Sequence, residues 1–173
     1  MRFLSYEANN IFSLKEVEVN LDDTGLVLVT GYSEDEGSSN GSGKSSITTK
    51  SLFWILYGKT PHGLKADNVV NRHTGTKKAW GRLTFEDDRG KVCEIYRQRG
   101  PNKLAFIVDG EDVSSRLAKD TQAQIDKTLG RNFETFVQTD FFGQGRTSGY
   151  AQLVPGEQKK ILEKILPIDQ CTE

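Results

Sequence analysis

The apolar positions of this 173-residue chain follow two periods, one typical of strands and one typical of helices. Alternation over residues 3–20, and again over 79–86, 92–98 and 104–108, predicts strands. The last three runs are joined by Asp88-Arg89-Gly90 and Gly100-Pro101-Asn102, which are turn sequences. We therefore expect an antiparallel β meander within residues 79–113.

A short run at residues 26–30 differs from these because its apolar residues are nearly consecutive. Such a run is typical of a strand that is buried on both faces of an α/β sheet. Helical spacing follows at residues 45–57, where Gly58 supplies a stop. Further helices are predicted at 114–129, between a serine cap and Gly130, and at 157–166, before Pro167.

Between the run at 26–30 and the first helix lies a glycine-rich loop at residues 38–46, which contains Asn40-Gly41-Ser42-Gly43-Lys44-Ser45-Ser46. A strand, a glycine-rich turn and a Gly-Lys-Ser that opens a helix form the context of a phosphate-binding loop. Gly41 and Gly43 can adopt positive φ and bring backbone N–H groups to phosphate oxygens. Lys44 would reach the β and γ phosphates of ATP, and the Ser45 hydroxyl would hold Mg²⁺.

The loop departs from the consensus G-x-x-x-x-G-K-[ST] at one position, where Ser38 replaces the first glycine. We interpret residues 33–38 as an insertion that lengthens the connection, since surface loops absorb extra residues at small entropic cost. It carries Glu34, Asp35 and Glu36, which would repel an anionic ligand. We therefore expect the insertion to loop outward.

The composition limits the class of protein without selecting a function. Its 35% hydrophobic and 27% charged residues are typical of a globular chain and not of a disordered or membrane protein. Cys93 and Cys171 lack the spacing of a metal site and are expected to be free thiols in a reducing compartment. The N-terminus has no signal-peptide pattern, so a cytoplasmic location is expected.

The overall charge gives no indication of nucleic-acid binding, because 23 basic residues face 24 acidic ones. Any DNA contact would have to come from a local patch, and a solvated charged face explains the same residues equally well. The candidates for that patch are Arg72, His73, Lys77, Lys78, Arg82, Arg97, Arg99 and Lys103.

The order of motifs resembles that of SbcC-type ATPases, including phage recombination-endonuclease subunits similar to SbcC. The matching stretches are Asn10-Ile11-Phe12-Ser13, the phosphate loop, Leu56-Tyr57-Gly58-Lys59-Thr60, Ile95-Tyr96-Arg97, Phe141-Phe142-Gly143-Gln144-Gly145 and residues 157–166. The resemblance implies an α/β fold: residues 1–173 would be the N-terminal half of an ABC-type P-loop ATPase head, with a mixed sheet around the phosphate loop and the meander beside it. A C-terminal ATPase segment of the same protein would complete that head.

The same resemblance implies which residues surround the nucleotide. Gln144 would contact Mg²⁺ and the attacking water, and an amide suits this task because it both donates and accepts hydrogen bonds. It lies in a glutamine loop and helix at residues 138–168, where Gln138 is the alternative candidate. Asn10 and Ser13 would also lie near the nucleotide, although Phe12 stands where cellular members often carry a basic residue.

The partners implied by the resemblance are a second head, DNA and a nuclease. ATP would join two heads head to head as a homodimer over DNA, and hydrolysis would release them. An SbcD-like subunit would supply the nuclease chemistry, because this sequence has no clustered His/Asp metal site. The helix at 157–166 would lead toward a coiled coil, and the complex would process DNA ends in recombination and repair.

Two alternatives remain open from the sequence. Asp109 and Glu111 follow an apolar run and could serve a self-contained small P-loop NTPase or kinase as its acids. However, Asp109-Gly110 between alternating apolar residues favours a hairpin. The other alternative is a structural module whose loop no longer binds nucleotide.

Overall fold

The computed structural model describes residues 1–32, 37, 39, 41–60, 66–139 and 153–165. The chain forms two compact units, Met1–Ile125 and Asp126–Glu173. The first unit contains a sheet, the helical segment that follows the phosphate loop, and the start of a second helix. The second unit contains the end of that helix and two further helices.

The described strands form one antiparallel sheet with the order β2-β1-β3-β4-β5-β6. A long hairpin supplies β1 (Arg2–Ile11) and β2 (Leu14–Asn20), and the meander supplies β3 (Ala79–Glu86), β4 (Val92–Arg99), β5 (Lys103–Val108) and β6 (Glu111–Asp112). Each meander strand pairs with its neighbour in sequence, and Leu83 lies opposite Ile95. The predicted meander is thus confirmed, and so is the hairpin at Asp109-Gly110.

Helical structure begins directly after the phosphate loop. A π-helical turn (Ser46–Lys50) leads into α1 (Ser51–Tyr57), and Gly58 ends the helix in a left-handed conformation, with φ +66°. The predicted helix at 45–57 is confirmed apart from the π geometry of its first turn. A short 3-10 helix (Ala66–Val69) follows.

The core lies between α1 and one face of the sheet. Tyr6, Leu83, Phe85 and Ile95 on the sheet are almost fully buried, as is Ile55 on the helix. A Cβ atom at Gly81 would lie only 2.5 Å from Ile55 Cγ1, so this glycine allows the helix to approach the sheet closely. The meander and the phosphate-loop helix are therefore packed as one body.

Two sequence predictions are wrong in their details. Residues 26–30 are not a buried strand: among the described residues they pair with no other strand, and Leu26 and Leu28 are 103% and 85% exposed. The predicted mixed sheet around the phosphate loop is therefore not formed by the described residues, whose sheet is antiparallel throughout. The reason is that a strand buried on both faces needs neighbours, and the described chain supplies none at that place.

The predicted helix at 114–129 is also shorter than expected. Helix α2 spans Ala118–Leu129, because the Ser114 and Ser115 side chains make other contacts. Ser114 Oγ accepts the Phe106 N–H at 2.8 Å, and Ser115 Oγ accepts from Gln124 Nε2 at 2.9 Å. The Ser114 hydroxyl therefore serves the sheet edge and the Ser115 hydroxyl bonds a side chain of α2, instead of capping the helix.

The second unit adds helices α3 (Phe133–Thr139) and α4 (Pro155–Ile165). Helix α4 confirms the helix predicted at 157–166 within one or two residues, and Leu166 lies outside the described residues. Of the helices in the described part of the chain, none combines the length and the apolar character that a membrane crossing requires. Cys93 is a free, buried thiol, and burial raises its pKa to about 11.

Candidate functional site

The phosphate loop turns through two glycines with left-handed backbone. Gly41 has φ +78° and Gly43 has φ +84°, values that a residue with a Cβ adopts only with strain. The Gly43 carbonyl accepts the N–H groups of Ser46 at 2.9 Å and Ile47 at 3.0 Å, which begins the helix. Gly41 and Gly43 thus have the backbone conformation predicted for them, and the helix begins immediately after the loop.

The Lys44 ammonium lies across the loop. Its Nζ donates to the Ser39 carbonyl and lies 3.3 Å from Ser42 Oγ, which itself donates to the Ser39 carbonyl at 2.8 Å. A Cβ at Gly31 would lie 1.9 Å from Ser42 Oγ, so the chain can fold back over this loop only because residue 31 is glycine. A cation, left-handed glycines and a helix N-terminus therefore converge, and together they fit a phosphate group.

Ser45 and Ser46 lie on different sides of the helix start. Ser45 is exposed, so its hydroxyl is accessible to a metal ion bound beside a nucleotide. Ser46 is buried, and its Oγ accepts from Ser13 Oγ at 2.7 Å. Ser13 is thereby held in the β1–β2 turn, against the phosphate loop, where a Cβ at Gly43 would lie 3.2 Å from Ser13 Oγ.

Two further hydroxyls bind carbonyls in the π-helical turn. Tyr6 Oη donates to the Ile47 carbonyl, and Ser51 Oγ donates to the Ser46 carbonyl. Burial raises the pKa of Tyr6 to about 12, although a hydrogen bond with Ser51 acts in the opposite direction. Strand β1 therefore holds the start of the helix through the neutral form of Tyr6.

Asn10 is buried at the end of β1 and makes contacts within the protein. Its Nδ2 donates to Thr76 Oγ1 and to the Lys78 carbonyl, both at 2.6 Å, and its Oδ1 accepts from Thr74 Oγ1. Asn10 has φ +57°, so its backbone also turns away from the strand. The side chain orders residues 74–78 next to the β1–β2 turn.

Some predicted site residues lie outside the described residues. Asn40 and Gln144 belong to this group, as do most residues of the insertion at 33–38. Gln138 is in α3, but its side chain is not described. The roles of these residues stay predictions.

The two alternative acids lie far from the phosphate loop. Asp109 turns the β5–β6 hairpin, where its Oδ1 accepts the Val92 N–H at 3.0 Å and its Oδ2 lies 3.5 Å from Lys91 Nζ. This hairpin adjoins the start of β4, whereas the phosphate loop adjoins the end of β1. Because β3 pairs in register with both strands, these positions are separated by most of an eight-residue strand, or about 20 Å.

Five of the eight basic residues of the predicted patch separate into three groups. Arg72, Lys77 and Arg99 line a cleft of about 470 Å³. Arg82 lies on the face of the sheet away from α1, where Glu7 and Glu94 approach within 3.6 and 3.4 Å. Arg97 points to the other face and binds the end of α1.

Sequence reasoning misses two side chains that hold the helix of the phosphate loop. Tyr6 and Arg97 contact that helix from 41 and 42 residues away in sequence. The alternation in β1 correctly indicates that Tyr6 is buried, but it does not indicate its hydroxyl partner. Arg97 follows Cys93 and Ile95 at alternate positions of β4, so the alternation puts a charged residue on the buried face of the strand, and this was the available signal.

A model of the AAA domain family matches residues 7–170. The chain belongs to the AAA domain family. The matched residues include the phosphate loop and the whole meander.

Several proteins similar to this chain act in DNA metabolism, according to their names. The chain is 27% identical to exonuclease subunit 2 of Enterobacteria phage T4 over 167 residues, which cover 95% of this chain and 28% of the phage protein. It is 31% identical to the chromosome partition protein Smc of Thermoplasma acidophilum, with 95% of this chain and 14% of that protein covered. It is 26% identical to the DNA double-strand break repair Rad50 ATPase of the same organism, with 100% and 18% covered.

These coverages mean that the chain spans less than a third of the length of these relatives. A solved chain from work on ATP-driven dimerization and DNA stimulated activation of SMC ATPases has the same fold, with a TM-score of 0.64 and 14% identity. The alignment covers 96% of this chain and 100% of the solved one. The resemblance to SbcC-like and related ATPase heads is thus confirmed.

Proposed function

We propose that the chain is the ATP-binding lobe of an SbcC-like ATPase head. The observation that carries this proposal is the convergence of the Lys44 ammonium, two left-handed glycines and a helix N-terminus at one loop. These are the donors that a triphosphate requires, since the ammonium and the backbone N–H groups all meet anionic oxygens. Similarity to proteins named Rad50 ATPases supports the same reading.

Within this proposal each loop residue has a defined task. Lys44 would move from the Ser39 carbonyl to the β and γ phosphates, while the Ser45 hydroxyl would hold Mg²⁺. Bound Mg²⁺ would supply neutralisation of the charge that develops on the phosphates. Asn40, Gly41, Ser42, Gly43 and Ser46 would surround the phosphates, and Ser13 would fix Ser46 through its hydroxyl contact at 2.7 Å. Asn10 would order residues 74–78 beside the nucleotide.

The exposed run at residues 26–30 supports the expectation that the head is completed by another segment. Leu26, Val27 and Leu28 are each more than half exposed, directly before the phosphate loop. Apolar residues in such a cluster mark a surface that a partner covers. We infer that a C-terminal ATPase segment of the same protein covers this run, and that Gln144 then completes the site as the residue that senses the nucleotide.

The larger assembly follows from the relatives and is also a proposal. Two ATP-bound heads would associate as a homodimer over DNA, and an SbcD-like nuclease subunit would act on DNA ends when hydrolysis releases the heads. Similarity to phage exonuclease subunits supports a nuclease complex. The cleft lined by Arg72, Lys77 and Arg99 would contribute phosphate contacts to DNA. A cytoplasmic location, in the host if the gene is carried by a phage, is part of the same proposal.

The decisive experiment removes the Lys44 ammonium. Lys44→Ala should weaken ATP binding beyond detection, because it removes the ammonium that lies across the loop and would meet the phosphates. Affinity should be measured by calorimetry on the full-length gene product, with circular dichroism to verify the fold. Lys50→Ala is the matched control, since Lys50 lies in the π-helical turn that follows the loop. This variant should bind ATP with the same affinity as the parent protein. A folded Lys44→Ala variant with unchanged affinity would overturn the assignment.

A further inference from the structure

Helix α1, which follows the phosphate loop, ends next to strand β4 of the meander, and two carbonyl groups in its last turn need hydrogen-bond partners. Gly58 donates its N–H to the Trp54 carbonyl at 2.8 Å, which leaves the carbonyls of Ile55 and Leu56 beyond the last helical bond. Both residues are almost fully buried. A buried carbonyl without a partner is costly, so these two groups must be satisfied by side chains.

Arg97 on β4 supplies those bonds. Its Nε donates to the Ile55 carbonyl at 2.9 Å, and its Nη2 lies 3.3 Å from the Leu56 carbonyl and 2.5 Å from Gln122 Oε1. Gln122 on α2 donates its Nε2 to the same Leu56 carbonyl at 3.0 Å. One guanidinium therefore joins the meander, α2 and the end of α1.

The end of α1 is shaped to receive this guanidinium. A Cβ at Gly58 would lie 2.9 Å from Arg97 Nη1 and 3.4 Å from Cζ, so a side chain at residue 58 would push the guanidinium out of this position. The guanidinium is always charged, and it lies at the end of a helix where carbonyl groups concentrate negative charge. The space left by Gly58 and the negative charge of the helix end thus both favour the Arg97 guanidinium at the end of α1.

We propose that Arg97 is a positioning residue for ATP binding, which sets the orientation of the phosphate loop by fixing the far end of its helix. Residues 46–57 span about 18 Å at the usual rise of a helix. Tyr6 and Ser13 hold the first end against the β1–β2 hairpin, and Arg97 holds the other end against β4. Without Arg97 the far end of the helix is released, so the helix axis can tilt and change the aim of the N–H groups in its first turn. A misplacement of binding groups by about 1 Å is enough to weaken function strongly.

The inference rests on the proposed ATP-binding function, so the test must separate the two. The probe is a fluorescent ATP analogue, and its dissociation constant is measured with the full-length gene product at a temperature where circular dichroism shows every variant folded. We expect Arg97→Gln to raise that constant by about tenfold. Arg97→Lys should fall between the parent and Arg97→Gln, because an ammonium keeps the charge but not the forked geometry.

Arg2→Gln is the matched control. Arg2 also contacts carboxylates through its guanidinium, at 2.9 Å to Glu86 and 3.4 Å to Asp22, but it lies at the other end of the sheet. Its loss should change the dissociation constant by less than about twofold, a surface ion pair being worth little. Amide hydrogen exchange at residues 41–46 supplies a second readout, which should accelerate in Arg97→Gln and not in Arg2→Gln.

The outcomes distinguish a failure of the proposed ATP binding from a failure of the role assigned to Arg97. A parent protein that does not bind the analogue contradicts the proposed function itself. A parent that binds it, together with a folded Arg97→Gln variant of equal affinity and equal loop exchange, contradicts the role of Arg97. If Arg97→Gln fails to fold, Gln122→Leu removes one of the supporting bonds and should raise the dissociation constant by about threefold. Unchanged affinity in Gln122→Leu then overturns the inference.

Discussion

The meander and the run at residues 26–30 both carry large apolar side chains, which the meander buries and the run exposes. Leu83 and Phe85 in β3 are completely buried, whereas Leu28 is 85% exposed. Each meander strand finds its partner a short turn away in sequence, so the pairing follows from local alternation. A strand buried on both faces depends on segments that are distant in sequence. Hydrophobic pattern alone therefore predicts a strand only where the chain also supplies its neighbours.

The difference also has functional meaning, because the uncovered run leads directly into the phosphate loop. Burial of a leucine side chain is worth about 1.5–3 kcal/mol, so several exposed apolar side chains represent unused stabilisation. That stabilisation becomes available when another segment adds to this edge. Completion of the head and ordering of the nucleotide site would thus be coupled in the proposed assembly.

The strongest test of this comparison applies the same substitution to both regions of the 173-residue chain. Leu83→Ala should lower the free energy of unfolding by about 2–5 kcal/mol, because it opens a cavity in the core. Leu28→Ala should change it by less than about 0.5 kcal/mol, since the side chain is already in water. Urea unfolding followed by circular dichroism measures both. Similar losses at the two positions would show that residues 26–30 are buried in solution.

The second prediction concerns Leu28 in the full-length gene product, where the proposed C-terminal segment would cover it. In the full-length gene product, Leu28→Ala should cost about 2 kcal/mol, because the added segment would bury this side chain. Thermal unfolding of the parent and the variant, in both the 173-residue chain and the full-length product, gives the comparison. Leu117→Ala is the control, since Leu117 is 61% exposed and lies outside residues 26–30. A loss at Leu28 that is no larger in the full-length product would contradict the proposed completion of the head.

The sequence was sufficient for elements whose contacts are local. The three meander strands and the helix after the phosphate loop follow from alternation, helical spacing and the stop at Gly58. The phosphate loop was named from Gly-Lys-Ser at the start of a helix, and that helix is present, whereas the strand expected before the loop is not formed. The start of α2 was not, because Ser114 has the composition of a helix cap but its hydroxyl serves the Phe106 N–H instead.

The candidate site was predictable only where a motif defines it. Lys44, Ser45 and the two glycines were named from the loop sequence, and their backbone geometry agrees. The hydroxyl of Tyr6 and the guanidinium of Arg97 reach the helix across 41 and 42 residues, and no local pattern indicates such partners. Asn10 was named as a residue near the nucleotide, and its buried contacts with Thr74 and Thr76 depend equally on tertiary structure.

The third prediction concerns the hydrogen bond by which Tyr6 of the sheet holds the helix that follows the phosphate loop. Tyr6→Phe should destabilise the chain by about 1 kcal/mol at neutral pH, because the part-buried Ile47 carbonyl loses its donor. The Tyr6 pKa is raised to about 12 in the folded state. Tyr6 therefore contributes stability that is fully present below about pH 10 and is lost as the pH rises toward 12.

Unfolding of the parent and Tyr6→Phe should accordingly be compared between pH 9 and pH 12, a range of about three units that spans both pKa values. The free-energy difference between the two proteins should shrink as the pH rises through this range. Cys93 titrates there as well, but it is present in both proteins and its contribution cancels. A constant difference across the range would mean that the Tyr6 hydroxyl is not held in its neutral form by the fold.

The smallest expected effect concerns the turn of the meander. Asp109 has φ +51°, and its carboxylate accepts the Val92 N–H, so its task in the structure is to close the hairpin. Asp109→Ala should cost about 1 kcal/mol through the lost bond and the strained backbone. Asp109→Asn should cost less than half of that, because asparagine keeps an acceptor oxygen and tolerates left-handed φ.

The pair of variants separates a structural acid from a catalytic one. An asparagine oxygen can accept the Val92 N–H, but it lacks the charge that would hold Mg²⁺ or activate water. Mg²⁺-dependent phosphate release by full-length Asp109→Asn should therefore equal that of the parent, and Glu111→Gln should behave likewise. Loss of turnover in folded Asp109→Asn would instead identify the hairpin as the catalytic edge of a self-contained NTPase. The separation of roughly 20 Å between this hairpin and the phosphate loop argues for the first outcome, because a metal ligand must lie within a few ångströms of the phosphates.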